Sequence, residues 1–151
     1  TAPLSAEEYE ISVKLAERQQ AEYLKKAANL VDENNVKLLN MDIDIASGKS
    51  LFELNCVACH GKAGEGGVGP NLTDTYWLHG GGIKDIFKSI KYGWQEKGMK
   101  SWKEDFTPSQ MAQLTSFIHT LKGTNPANPK APQGEVYTEE SEVKNDSATV
   151  K

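Results

Sequence analysis

The chain has 151 residues, about one domain's length, and 25% of them are charged, with a formal net charge of -4. That balance argues against nucleic-acid binding, and no apolar run is long enough to span a bilayer. The charge is uneven: residues 1–45 carry five Lys/Arg against nine Asp/Glu, residues 46–123 nine against seven, and residues 124–151 three against five. A slightly basic centre therefore sits between acidic flanks.

Residues 5–31 predict one long helix. Ser5 and Glu8 have capping-box spacing, and the interior is rich in strong helix formers. Its apolar residues, Ile11, Leu15, Tyr23, Leu24, Ala27 and Leu30, make too thin a stripe for a core helix. The segment reads either as a helix lying on another surface or as a solvated spacer. Residues 47–56 predict a short helix with Ser47 as N-cap and Leu51, Phe52 and Leu54 as apolar surface.

Next comes Cys56-Val57-Ala58-Cys59-His60, the C-x-x-C-H form of a c-type haem attachment site. One helical turn separates the two sulfurs, so both can bond vinyl groups on one porphyrin edge, and His60 can give the proximal nitrogen to iron. A structural zinc site needs four ligands, and the chain's two cysteines are both already used. A thioredoxin-like pair needs strand-helix-strand surroundings, for which Val/Ile-rich runs are missing. A plain disulfide or two buried thiols stay open. There is no second such motif, so one covalent haem c is expected.

Residues 61–71 are a glycine-rich loop ending in Gly69-Pro70-Asn71. The Pro70 carbonyl is placed to accept the second N–H of a metal-bound His60; an ordinary turn proline is the plainer reading. Residues 83–92 predict an amphipathic helix through Ile83, Ile86, Phe87 and Ile90. Residues 108–122 predict another, with Pro108 at its start, Gly123 past its end, and Met111, Leu114, Phe117, Ile118 and Leu121 on one face. Beyond Gly123 the prolines and acidic residues predict irregular chain, with disorder after about residue 137. The division is a helical extension at 1–45, a central domain at 46–123 and a largely irregular tail at 124–151.

The sixth position on iron has five candidates: Met41, Met99, Met111, His79 and His119. Met99 is preferred, because it lies in a loop next to Gly98 where a thioether can swing onto a metal. Met111 falls on an apolar helix face and reads as core, and Met41 as a packing residue. His119 reads as a partly exposed helix residue. His79 could approach a haem propionate but reads first as an exposed loop histidine. Tyr76, Trp77, Tyr92, Trp94 and Trp102 gather where a macrocycle would be buried. Such side chains can lay a ring on porphyrin and point a donor at a propionate, with generic core packing as the default.

Cys56-Val57-Ala58-Cys59-His60-Gly61, Gly69-Pro70-Asn71-Leu72 and Gly98-Met99 together resemble class I cytochrome c over about residues 46–123. The resemblance implies an all-α fold around one covalent haem, with His60 and Met99 as axial ligands. More narrowly, Asn71-Leu72-Thr73-Asp74, Tyr76-Trp77-Leu78-His79-Gly80, Gly98-Met99 with Trp102, and Leu121-Lys122-Gly123-Thr124-Asn125-Pro126 resemble the cytochrome c subunit of cbb3-type (C-family haem–copper) oxidases. That family's subunit faces the periplasm from an N-terminal membrane anchor and feeds electrons to the catalytic subunit. It commonly carries two haem motifs where this chain has one, and the acidic segment 5–36 also departs from its pattern.

The resemblance implies outer-sphere electron transfer and no catalytic site in this chain. The implied partners are an upstream donor and an oxidase catalytic subunit. Because the chain starts at Thr1 and such proteins mature outside the cytoplasm, a leader or anchor is expected to precede it. The rival readings are a freely diffusing carrier cytochrome, and a five-coordinate haem that binds peroxide or a gas.

Overall fold

Three helices build the core, and each starts or stops for a reason written in the chain. The computed structural model describes residues 2, 3 and 5–140. Among them are α1 (Ala6–Asn29), α2 (Asp42–Asn55), α3 (Val57–His60), α4 (Ile83–Tyr92) and α5 (Pro108–Leu121). Among the described residues the sheet is one antiparallel pair, β1 (Tyr76–Trp77) with β2 (Glu135–Val136), in the register Tyr76 to Val136 and Trp77 to Glu135.

The α2–α5 contact is the most extensive between elements. Gly48 makes it possible: a side chain there would run into the Gln113 backbone carbonyl and the Phe117 Cβ of α5, so only glycine lets the helices approach this closely. Phe52 and Phe117 fill the space beside it with ring centroids 5.3 Å apart. Phe52 is 1% exposed, and burying such a side chain contributes about 1.5–3 kcal/mol. From α4, Ile86, Phe87 and Ile90 join the same core.

Helix α5 opens with a Thr107–Gln110 capping box and Pro108 in its first turn, and Gly123 follows at φ 81°. Helix α2 differs from expectation. It begins at Asp42, a turn earlier than the predicted 47–56, with Asp42 and Asp44 set against the positive end of the helix dipole. Ser47 is not its N-cap; its hydroxyl donates to the Ile43 carbonyl at 2.9 Å inside the helix. Met41 does not pack either. It stands at the N-cap and is 64% exposed.

Helix α1 is closed at its start by the Ser5–Glu8 capping box and buries no residue. The segment after it returns to the core. Val36 is buried, and the Leu39 N–H donates to Ser116 Oγ of α5 at 3.0 Å. Glu33 accepts from Lys91 Nζ at 2.9 Å and from the Tyr92 hydroxyl at 2.7 Å.

Between Gly123 and the last described residue the chain is irregular except for β2, but it does not hang free. It crosses the glycine-rich loop, pairs with β1, and brings the Tyr137 N–H to the Thr75 carbonyl at 2.8 Å. The expectation of disorder after residue 137 falls mainly on residues 141–151, outside the described residues.

Candidate functional site

A cavity of about 510 Å³ lies between α2, α4, α5 and the loops that join them. Phe52, Ile86, Ile90, Leu114 and Ile118 line it from the helices. Its size is in the range of cofactor pockets, ~300–1,000 Å³.

Cys56 and Cys59 reach it from the turn of helix that Val57–His60 forms. Both are free thiols in this structure. Burial, with Cys59 nearby, pushes the half-buried Cys56 thiol up to about 11. Cys59 is exposed.

His60 closes α3, and Gly61 at φ 81° turns the chain back over it. The loop then wraps the histidine. Gly66 N–H donates to the His60 carbonyl at 2.7 Å, and Gly69 N–H donates to the Cys59 carbonyl at 2.8 Å. A Cβ on Gly69 would come within 2.8 Å of the imidazole, so glycine is what lets the backbone lie on the ring. His60 Nδ1 is 3.0 Å from the Pro70 carbonyl. Burial pushes the His60 pKa down, the Pro70 contact pulls it up, and the Lys130 charge lowers it further. The neutral imidazole with Nδ1–H toward Pro70 leaves the Nε2 lone pair free for a metal.

Met99 lines the cavity on a loop of its own. Trp94 and Met99 are paired through their backbones, and Gly98 takes the left-handed conformation at φ 88° between them. The Trp94 indole N–H donates to Ser89 Oγ at 3.0 Å. Trp102 stacks on Phe106 at 5.2 Å and also lines the cavity. Trp77 is another wall residue; its indole N–H is buried and has no partner among the described residues.

Of the ten residues singled out from the sequence, the structure brings eight to the cavity: Cys56, Cys59, His60, Pro70, Trp77, Trp94, Met99 and Trp102. Tyr76 and Tyr92 are not among its lining residues. Tyr76 is 39% exposed on β1, and Tyr92 turns its hydroxyl to Glu33. Aromatic clustering along the chain could not separate the two faces of a strand or the two sides of a helix end.

His79 is not the exposed loop histidine expected. It stacks on the Trp94 ring at 3.6 Å and lines the cavity, and burial is the main cause lowering its pKa. Met111 is buried in the core at 2% exposure, and His119 is half-buried on α5. Lys130 and Gln133 also line the cavity. They lie in the tail, where no sequence signal marked them.

These residues fit a covalent haem. Two free thiols and an imidazole with one nitrogen already engaged face an apolar cavity of suitable size. The orphaned Trp77 N–H fits a carboxylate acceptor that the described residues do not supply.

The family model described as cytochrome c oxidase, cbb3-type, subunit III, matches residues 43–118. The chain is 34% identical over 148 residues to the cbb3-type cytochrome c oxidase subunit CcoP of Azospirillum sp., covering 87% of this chain and 50% of that protein. It is 33% identical over 124 residues to the cbb3-type subunit FixP of Sinorhizobium medicae, covering 74% of this chain and 43% of that protein. The chain thus spans about half the length of the curated relatives it matches. The crystal structure of cytochrome cL from Hyphomicrobium denitrificans superposes with a TM-score of 0.50 at 30% identity, over 52% of this chain and 48% of that one. The fold is the all-α fold of class I cytochrome c.

Proposed function

This chain belongs to the family of subunit III of cbb3-type cytochrome c oxidases, which implies covalent haem c, and we propose that it passes single electrons through one such haem to the oxidase's catalytic subunit. Cys56 and Cys59 would form the thioether links to the haem, and His60 and Met99 would ligate its iron. When bound, the haem supplies a one-electron ferric/ferrous couple whose potential thioether ligation raises.

The chain's own residues do the rest. Pro70 fixes the imidazole through Nδ1 and keeps Nε2 unprotonated. The Trp94–Met99 backbone pair limits where the thioether can go. Trp77 offers its buried N–H to a propionate. The apolar helix faces keep water from the iron and so favour the less charged, reduced state.

The observation that carries this reading is that Cys56, Cys59, His60 and Met99 line one cavity while the second nitrogen of His60 is already held by Pro70. With His60 and Met99 both holding the iron, no site would be left on it for a substrate, so the chain would act as a carrier with the catalytic centre in another subunit. The electron comes from an upstream redox protein. The domain works on the periplasmic face of the bacterial inner membrane. Among the described residues, no helix is long and apolar enough to cross a membrane.

The test is the optical spectrum of the haem-loaded protein, followed by mixing the reduced form with the oxidase core. The expected result is a low-spin ferric haem with the far-red methionine-to-iron charge-transfer band, no carbon monoxide binding when reduced, and rapid oxidation by the core. A high-spin or gas-binding haem would overturn the carrier reading. A carrier spectrum without transfer to the core would make it a diffusing cytochrome instead.

A further inference from the structure

The tail residue Lys130 makes four polar contacts, and all four are with the loop that carries the His60 acceptor. Its N–H donates to the Glu65 carbonyl at 2.8 Å. Its carbonyl accepts from Asn71 Nδ2 at 3.2 Å. Its ammonium reaches the Val68 carbonyl at 3.5 Å and the Gly69 carbonyl at 3.4 Å. Pro70, next in line, gives its carbonyl to His60. Three consecutive carbonyls are therefore committed, two to one ammonium and the third to the imidazole. Glycine at position 66 makes room for this, since a Cβ there would lie 2.8 Å from Lys130 Cβ.

No carboxylate pairs with Lys130 among the described residues, and the side chain lines the cavity. The segment carrying it also lies outside the stretch that the family model matches, residues 43–118.

We propose that Lys130 is a positioning residue for the proximal side of the site: it holds the Val68 and Gly69 carbonyls next to Pro70, the acceptor for His60, and its charge, unpaired among the described residues, raises the reduction potential of the bound haem. The inference rests on His60 as proximal ligand. A fixed positive charge close to a metal centre disfavours the oxidised state, which carries one more positive charge. The contact with two carbonyls holds that charge where solvent screens it less than at a free lysine end. The tail is thereby a strap whose loss or displacement is read by the haem.

The experiment is a redox titration of haem-loaded wild type, Lys130→Met and Lys130→Arg. Lys130→Met keeps the side-chain length and both backbone hydrogen bonds, so the loop stays anchored at Glu65 and Asn71. The expected result is a threefold to tenfold shift of the ferric/ferrous equilibrium toward ferric in Lys130→Met, at most about 59 mV at the tenfold end. Lys130→Arg should stay within about twofold of wild type, because it restores the charge and the donors. An unmoved potential in Lys130→Met overturns the proposal, and so does a fall in Lys130→Arg as large as that in Lys130→Met. The wild-type spectrum separates the premise from the inference. Absence of the low-spin signature means that the ligand assignment has failed, whereas its presence with an unmoved potential means that Lys130 has no such role.

Discussion

Trp94 and Met99 exchange both backbone hydrogen bonds, Trp94 N–H to the Met99 carbonyl at 2.8 Å and Met99 N–H to the Trp94 carbonyl at 3.1 Å. The turn between them, Gln95–Lys97, ends on Gly98 at φ 88°. Met99 is therefore presented by a closed loop, and the freedom that glycine brings is spent on closing it.

Gly98→Ala separates loop geometry from packing. A Cβ at Gly98 meets nothing within 4 Å, so the substitution costs only the left-handed backbone, about 1–2 kcal/mol. Gly123, at φ 81° with the same open space, is the matched control beyond α5. Both alanine variants should lose similar stability in chemical denaturation. Only Gly98→Ala should weaken the far-red charge-transfer band, because only that strain bears on Met99. Equal bands in the two variants would show that the loop does not set the thioether.

Met99 and Met111 give a sharper contrast. Met99→His should keep a six-coordinate iron and lower its potential, since imidazole favours ferric iron more than a thioether does. Met111 is 2% exposed in the core. Met111→Leu should leave the spectrum unchanged and cost less than about 1.5 kcal/mol. Loss of the methionine band in Met111→Leu would reverse the assignment.

The central helices were readable because their signals are local. Pro108, Gly123 and the apolar spacing of Met111, Leu114 and Ile118 bound α5 without any knowledge of its neighbours. The start of α2 was not readable, for a physical reason. Ser47 looks like an N-cap in isolation, yet its hydroxyl bonds back to Ile43, and Gly48 beside it serves the approach of α5. The attachment motif could be recognised from five consecutive residues, whereas for Pro70 the sequence left an ordinary turn proline beside the reading as acceptor for His60, and the contact is visible only in the fold. The parts supplied by Lys130, Gln133 and β2 depend on a return of the chain across a loop some sixty residues earlier, and Glu135-Val136 is too short to carry a strand pattern.

Gly48→Ala tests the helix contact directly. The added methyl would meet the Gln113 backbone, which cannot move as a side-chain end can, so α2 and α5 must part. The expected loss is about 1–3 kcal/mol by overpacking, against the small gain that alanine brings to an exposed helix position. Ser50→Ala on the same helix, at an exposed position, is the comparison. A stability for Gly48→Ala at or above that of wild type in urea titration would mean that the helices are not in this close register.

The Glu33–Lys91 contact makes a prediction about acid. The Lys91 ammonium and then the Tyr92 hydroxyl hold the Glu33 carboxyl down at about 2, against an ordinary 4.5. A carboxyl depressed in the folded state binds its proton more readily when unfolded. Its contribution is therefore complete above the ordinary value, and it is lost as pH falls through the folded value near 2. The Lys91 pKa is raised by the same partner, so its share fades only in strong alkali and the neutral range is flat. Both side chains keep some exposure, 24% for Lys91 and 22% for Glu33, so screening limits the pair to about 1 kcal/mol. Glu33→Gln should be less stable than wild type by about that amount at neutral pH, and the gap should close as pH is lowered toward 2. Denaturant titrations of both proteins at the two ends of that range measure it. A gap that stayed constant into acid would mean that Glu33 acts through its hydrogen-bond geometry with Tyr92, which glutamine would disturb at every pH, and not through its charge.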